Sequence, residues 1–152
     1  MEGPTQPLLD DTDRAIIGLL RDNARRTFGD IGARVGLSAP AVKRRVDRLE
    51  ETGVIRGYTV RLDHARLGRP LEAFTELRFS GSARVDAIAA IGEAIPEVEA
   101  VFTVAGDPDA LAWIRVRDVE ELKRVIDQLR SSGEVVGTKT HMVLGTSTRS
   151  PG

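Results

Sequence analysis

Residues 30–58 read DIGARVGLSAPAVKRRVDRLEETGVIRGY, from Asp30 to Tyr58, and their spacing predicts a short helix, a tight turn and a second helix with a basic stripe. Ile31 and Val35 stand four apart, as on one helix face, and Gly36 supplies the left-handed residue that closes a helix with least steric cost. Ser38 restarts the chain as a helix. Its hydroxyl can accept from the free N–H groups of the next turn, and Pro40 lies inside that turn, where a missing N–H leaves no hydrogen bond unmade. From Ala39 to Glu51 the apolar Val42, Val46 and Leu49 recur at helical spacing, which commits one face to a core. The opposite face presents Pro40, Lys43, Arg44 and Asp47, with Arg45 and Arg48 at its flanks. Arg can bridge two acceptors on a guanine edge or hold one phosphate, and Lys brings a point charge, so this stripe suits a helix in the DNA major groove. A solvated basic face on an ordinary surface helix would carry the same charges. The preceding helix and the Val35-Gly36-Leu37-Ser38 turn favour nucleic acid, because helix–turn–helix is a specific arrangement and not a charge count.

Working outward toward the N-terminus, Leu9-Asp10-Asp11-Thr12-Asp13 opens an earlier helix. Acidic residues suit its positive end, Asp10 is the expected cap, and Ile16, Ile17, Leu19 and Leu20 form its apolar stripe. Thr27-Phe28-Gly29-Asp30 matches a capping residue followed three positions on by an acid, which starts the second helix. The head is therefore expected over residues 8–57, behind a Gly/Pro-containing arm at 1–7. Beyond it, Tyr58, Val60 and Leu62 alternate as a short strand, and the Gly and Pro of His64 to Pro70 mark a boundary, which gives a linker strand over 58–70.

The pattern changes after Pro70. Ala73 to Phe79 is strand-like, with Phe74 expected in the core. Ser82 to Ile95 is helical, with Val85, Ile88, Ile91 and Ile95 on one stripe and Pro96 as its stop. Val98, Ala100, Phe102 and Val104 alternate as a strand, Gly106-Asp107-Pro108-Asp109 reverses the chain, and Ala110 to Val116 returns. Asp118 caps a second helix to Arg130, with Glu121 three residues on and Val119, Leu122, Ile126 and Leu129 on its buried face. Val135 to Leu144 is the last strand. The order βαββαβ over 71–146, before a tail at 147–152, is that of a ferredoxin-like sandwich, two helices on one face of an antiparallel sheet. The whole chain is thus read as α+β: a three-helix, winged-helix-like helix–turn–helix head followed by that sandwich. The second sheet face has no cover from its own chain. Leu111, Trp113 and Val143 or Leu144 alternate onto the outward side and invite a second copy, while for Trp113 a place in the intrachain core stays open.

A net charge of −1 suits a DNA binder poorly until it is divided by position. Residues 1–69 hold 13 Lys and Arg against 10 Asp and Glu, a net of +3, whereas residues 70–152 hold 9 against 13, a net of −4. Phosphate attraction follows the local field of the basic head, and the asymmetry suggests two modules with different partners. The apolar and charged fractions, 41% and 30%, are those of a soluble globular protein and not of a disordered one. No apolar run approaches the roughly 20 residues that span a bilayer, and Met1 to Pro7 lacks both the charge and the apolar segment of a signal peptide, so a cytoplasmic protein is expected. With 0 Cys, disulfide staples and Cys-type zinc sites are excluded.

The order Leu9-Asp10-x-x-Asp13, Val35-Gly36-Leu37-Ser38, Arg45-Val46-x-Arg48-Leu49-Glu50 and Gly53-Val54-Ile55-x-Gly57-Tyr58 strongly resembles the Lrp/AsnC family, that of the leucine-responsive regulatory protein and the asparagine regulator. The likeness continues in Val104-Ala105-Gly106-Asp107-x-Asp109-x-Leu111, similar to the family's glycine-aspartate turn, and in Val136-x-Thr138-x-Thr140-x-x-Val143-Leu144, similar to its closing strand. The resemblance implies a transcriptional regulator that binds double-stranded DNA through the head. It also implies a linker that helps to pair subunits, and homodimers, joined through their sheets, that stack into rings up to a tetramer of dimers. No cofactor is implied beyond an amino-acid effector beside the glycine-aspartate turn, where a carboxylate takes the ligand ammonium and backbone N–H groups take its carboxylate. By position that role falls to Gly106, Asp107 and Asp109, with Val119 and Glu120 at the next helix start as neighbours. Pro108 and Ala110 stand where the family often has larger or aromatic residues. Read without the family, Asp107 and Asp109 are ordinary turn residues.

The DNA-contact set expected from the head is Lys43, Arg44, Arg45 and Arg48, with Ser38 and Pro40 setting the helix start against the backbone. An architectural protein that wraps DNA with little sequence preference would use the same head. A metabolite-binding oligomer with a vestigial head is disfavoured by the intact basic stripe. Enzymatic readings find no support: His64 and His141 stand apart from any nucleophile or metal-ligand motif, and Gly137-Thr138-Lys139-Thr140 lacks the Gly-Lys-Ser/Thr order of a phosphate loop.

Overall fold

Each of the three N-terminal helices starts on a side-chain cap. The computed structural model describes residues 9–81, 85–131 and 133–147, and for 85–89 the backbone alone. The arm at 1–7, the first turn expected from Ser82, the Val85 and Ile88 side chains and the end of the tail lie outside the described residues. Helix α1 (Asp11–Asp22) opens on a reciprocal capping box, in which Asp10 Oδ1 accepts from the Asp13 N–H at 2.7 Å and Asp13 Oδ2 from the Asp10 N–H at 3.3 Å. Helix α2 (Phe28–Val35) starts at Thr27, whose hydroxyl accepts from the Asp30 N–H at 3.1 Å, and it closes at Gly36 with φ 72°. Helix α3 (Ala39–Glu51) starts at Ser38, whose hydroxyl accepts from the Ala41 N–H at 3.4 Å. Ile16, Leu20, Ile31, Val42 and Val46 make the buried core of this unit, with Leu19, Phe28, Val35, Leu37 and Ile55 packed against it.

No ladder forms at Tyr58, Val60 and Leu62, which corrects the expected linker strand. A strand needs a neighbour for its N–H and C=O groups, and none of the described residues supplies one there. The three side chains stay exposed at 53%, 73% and 54%. The chain divides into two compact units between Arg61 and Leu62.

The second unit is built of β1 (Leu71–Phe79), α4 (Val85–Ala94), β2 (Val98–Thr103), β3 (Ala110–Val116), α5 (Val119–Ser131) and β4 (Val135–Met142). Its sheet has the order β2-β3-β1-β4, antiparallel throughout, the ferredoxin-like arrangement. Ala73 and Leu77 of β1 and Ala110, Ala112, Ile114 and Val116 of β3 lie on the face the helices cover, packed with Ile91 and Ile95 and with Leu122, Val125 and Leu129. Thr75, a fully buried polar side chain of this layer, shares a hydroxyl hydrogen bond with the partly buried Thr140 at 2.9 Å. Asp118 caps α5 as expected, its carboxylate accepting from the Glu121 N–H at 2.8 Å.

Three expectations of side-chain direction change. In β2 the pairing with β3 shifts between Val98 and Ala100. The bulge turns the chain over, so Val98 and Val101 reach the core while Phe102 is 48% exposed. On α5 the buried stripe is Leu122, Val125 and Leu129, a helical face that leaves Val119 56% exposed. Phe74 leaves the core for the uncovered face, where its register partner Trp113 stacks on it with ring centroids 6.3 Å apart and planes 9° from parallel. Trp113 donates Nε1–H to Glu72 at 2.6 Å, and Arg115 lies 5.2 Å over the indole while pairing with Glu72 at 3.2 Å. The last strand ends at Met142, short of Leu144, which is 95% exposed.

Candidate nucleic-acid interface and effector turn

The turn between α2 and α3 is held by backbone proximity. Leu37 N–H donates to the Gly32 carbonyl at 2.9 Å, and a Cβ at Gly32 would lie 2.3 Å from the Leu37 carbonyl oxygen. Sequence spacing alone did not single out Gly32, since helical glycines also occur for no packing reason; the short loop that follows it was the available signal. This close approach lets α3 follow α2 after a short turn, with its apolar stripe packed into the shared core. Pro40, Lys43 and Arg44 are then exposed. Lys43 pairs with Asp47 at 2.6 Å, a half-exposed contact one turn along that raises the lysine above its usual range. Arg44 has neither an ion pair nor a hydrogen bond among the described residues, so its fork of donors is available.

Arg45 and Arg48 do not stand free beside them. Arg45 Nη1 reaches Asp10 Oδ2 at 2.6 Å and Asp13 Oδ1 at 2.8 Å, and Arg48 Nη2 reaches Asp13 Oδ2 at 2.6 Å. The helical spacing that puts these arginines on the flank of the basic face also turns them toward the start of α1, where the two capping carboxylates wait. Asp13 is fully buried, Arg45 is 28% exposed and Arg48 is 53% exposed. The hydrogen bond from Arg45 is the main reason that Asp10 lies below the usual carboxylate range, helped by the Asp13 N–H, and Arg45 is raised in turn. Past α3 the chain folds back: Ile55 N–H donates to the Leu49 carbonyl at 2.9 Å, and the Tyr58 hydroxyl donates to Glu50 at 2.7 Å. Partial burial, and then that carboxylate, push the phenol up to about 12.

In the second unit the glycine-aspartate turn joins β2 to β3, with Gly106 at φ 113°. Asp109 closes it from within, its carboxylate accepting from the Phe79 N–H at 2.8 Å while its own N–H donates to the Leu77 carbonyl at 3.2 Å. Asp107 points outward and pairs with Arg78 at 2.6 Å, both side chains being more than half exposed. Arg78, which sequence reading did not pick out, thus brings a cation to the turn; its register position opposite the turn appears only once β1 and β3 are paired. Val119 and Glu120 are not neighbours of this turn in the chain. They follow the far end of β3, whose seven residues span about 23 Å at ~3.3 Å each. No group of three or more His, Asp or Glu among the described residues could hold a metal ion.

The profile of the AsnC-type helix-turn-helix domain matches residues 9–50, and that of the Lrp/AsnC ligand binding domain matches residues 72–152. The chain is 42% identical over 136 residues to the HTH-type transcriptional regulator Rv2324 of Mycobacterium tuberculosis, covering 90% of this chain and 92% of that one. It is 33% identical over 138 residues to the regulator LrpA of the same organism, covering 91% of each. Among solved structures, the transcriptional regulator NMB0573 of Neisseria meningitidis in complex with L-Met superposes with a TM-score of 0.87 at 28% identity, over 93% of this chain and 94% of that one. These relatives are regulators and not enzymes, and no helix among the described residues is long and apolar enough to cross a membrane. With a capped helix–turn–helix head, a four-stranded ferredoxin-like unit and both family profiles matched in order, this chain belongs to the Lrp/AsnC family of DNA-binding transcriptional regulators.

Proposed function

We propose that this regulator reads a specific operator through the exposed N-terminal half of α3, and that an amino acid modulates this at the glycine-aspartate turn. The observation that carries the first part is Arg44, exposed and without a partner among the described residues, beside Lys43 on the face opposite the core. Lys43, Arg44 and the open edge of Arg48 contact DNA in this reading, and Ser38 and Pro40 set the helix start against the phosphate backbone. Arg45 is left out, because both of its acid partners lie within the head. The effector reading is supported by the ligand-binding profile and by the L-Met complex of the similar NMB0573 protein. Asp107 is the carboxylate open to a ligand ammonium, Arg78 offers a cation for its carboxylate, and Gly106 lets the backbone come close. Asp109 serves the turn itself. Val119 and Glu120 join such a site only if another subunit brings them.

A homodimer through the uncovered sheet face completes the proposal, in the cytoplasm. Phe74, Leu111 and Trp113 make that face apolar, and Arg115 Nε is buried there without a partner among the described residues. An unsatisfied buried donor is uncommon in a finished structure. Two heads in such a dimer would meet half-sites about one DNA turn apart, roughly 34 Å. Footprinting on the upstream DNA tests this: a near-palindromic protected site with half-sites in that register is expected, and protection spread evenly along any DNA would favour wrapping without sequence preference.

A further inference from the structure

Two arginines of α3 are tied to the N-terminus of α1, and the geometry points to a role for that tie in specificity. Resting on the reading of α3 as the DNA-contacting helix, we propose that Asp10 and Asp13 are positioning residues for DNA recognition: they withdraw Arg45 from DNA and fix where Arg48 presents its remaining donors.

The argument starts from the acids. Asp13 is fully buried and accepts from Arg45 Nη1 at 2.8 Å, Arg48 Nη2 at 2.6 Å and the Asp10 N–H at 3.3 Å. Asp10, half exposed, holds the same Arg45 nitrogen at 2.6 Å. Removing either guanidinium would leave the buried carboxylate short of a partner, which is far more unfavourable than breaking an exposed pair. A DNA phosphate, solvated and screened by salt, offers Arg45 less than it would give up. Arg45 is therefore spent inside the head, and Arg48, with one nitrogen on Asp13 and about half its surface open, is aimed and not free to search. Of the four cations between Lys43 and Arg48, one is silent towards phosphate and one is restrained. Loose arginines raise affinity for every duplex alike, because phosphate contacts carry no sequence information. Restraining them favours the contacts that read bases.

The test measures binding as a function of salt on the protein's own upstream duplex and on a scrambled duplex, for the wild type, Arg45→Ala, Asp10→Asn and Asp13→Asn. Asn caps a helix as well as Asp does, so Asp10→Asn keeps the start of α1 while loosening Arg45. The expected result is that Arg45→Ala leaves the slope of log affinity against log salt unchanged. Asp10→Asn and Asp13→Asn should steepen it by about 0.9 for each arginine that reaches a phosphate, tighten binding to the scrambled duplex, and lower the ratio of own to scrambled affinity by about tenfold, the cost of one base mismatch. If Asp13→Asn does not melt cooperatively, Asp10→Asn and Arg45→Ala decide the matter. A slope that flattens by about 0.9 in Arg45→Ala, or acid variants that behave as wild type in both slope and ratio, would overturn the inference. A wild type that binds the two duplexes equally would overturn base reading by α3 instead, a separate outcome.

Discussion

Arg44 and Lys43 stand next to each other on α3 but differ in what holds them: Lys43 is engaged by Asp47, while Arg44 has no partner among the described residues. Arg44→Ala should cost about 1–3 kcal/mol of binding free energy against the duplex that carries its base, and much less against one changed at that base pair. Competition titrations with single-base operator variants measure this, and equal losses on all of them would make Arg44 a phosphate contact. The single tyrosine is a second probe at this scale. Tyr58 is raised from 10.0 to about 12, first by partial burial and then by the bond to Glu50. A phenol whose folded value is raised contributes stability that is whole below its ordinary value and is lost as pH climbs through the folded one. Phenolate absorbance should therefore appear close to pH 12 in the folded protein, and Glu50→Gln should lower that midpoint only in part. Asp10 works in the opposite sense. Its folded value lies below the ordinary 3.8 because of Arg45, so its contribution is present above 3.8 and is lost as pH falls through the lowered value. Acid unfolding followed by circular dichroism should begin at higher pH in Arg45→Ala than in wild type.

Among the elements, the α2–α3 turn depends on one missing side chain. Gly32→Ala would drive a Cβ to 2.3 Å from a backbone oxygen that cannot move without displacing Ser38. The head should lose about 1–3 kcal/mol, read as a lower thermal midpoint together with weaker DNA binding; an unchanged midpoint would mean that the turn tolerates a wider angle. The caps at Asp10, Thr27, Ser38 and Asp118 were legible in the sequence, because a cap is a local bond between residues three apart. Elements with a clear period were legible for the same reason. Direction within the sheet was less so: the bulge at Val98/Ala100 inverts β2, and no property of Glu99 or Ala100 announces it. The linker strand at Tyr58 to Leu62 has the alternation but lacks a neighbour, which no local pattern reports. At the site, the basic stripe could be read from spacing, but the capture of Arg45 and Arg48 by Asp13 joins residues more than thirty positions apart. Arg78 reached Asp107 through strand register in the same way.

For the molecule as a whole, the opposite signs of the two units and the apolar sheet face fit the proposed division of work, in which the basic unit meets DNA and the acidic unit is the one proposed to meet other copies and the effector. The single tryptophan lies on that face. Trp113→Ala should shift the protein toward monomer in sedimentation analysis and weaken operator binding in step, whereas an unchanged oligomer would move the subunit contact elsewhere. The central claim is that α3 reads sequence under the control of an amino acid. It is tested most directly by titrating the intact protein against its own upstream DNA and a scrambled duplex, at two salt concentrations, with and without a pool of amino acids. A clear preference for the upstream DNA, a steep salt dependence and a shift in affinity with the pool are the predicted results; equal binding to both duplexes, or no binding to either, would contradict the account.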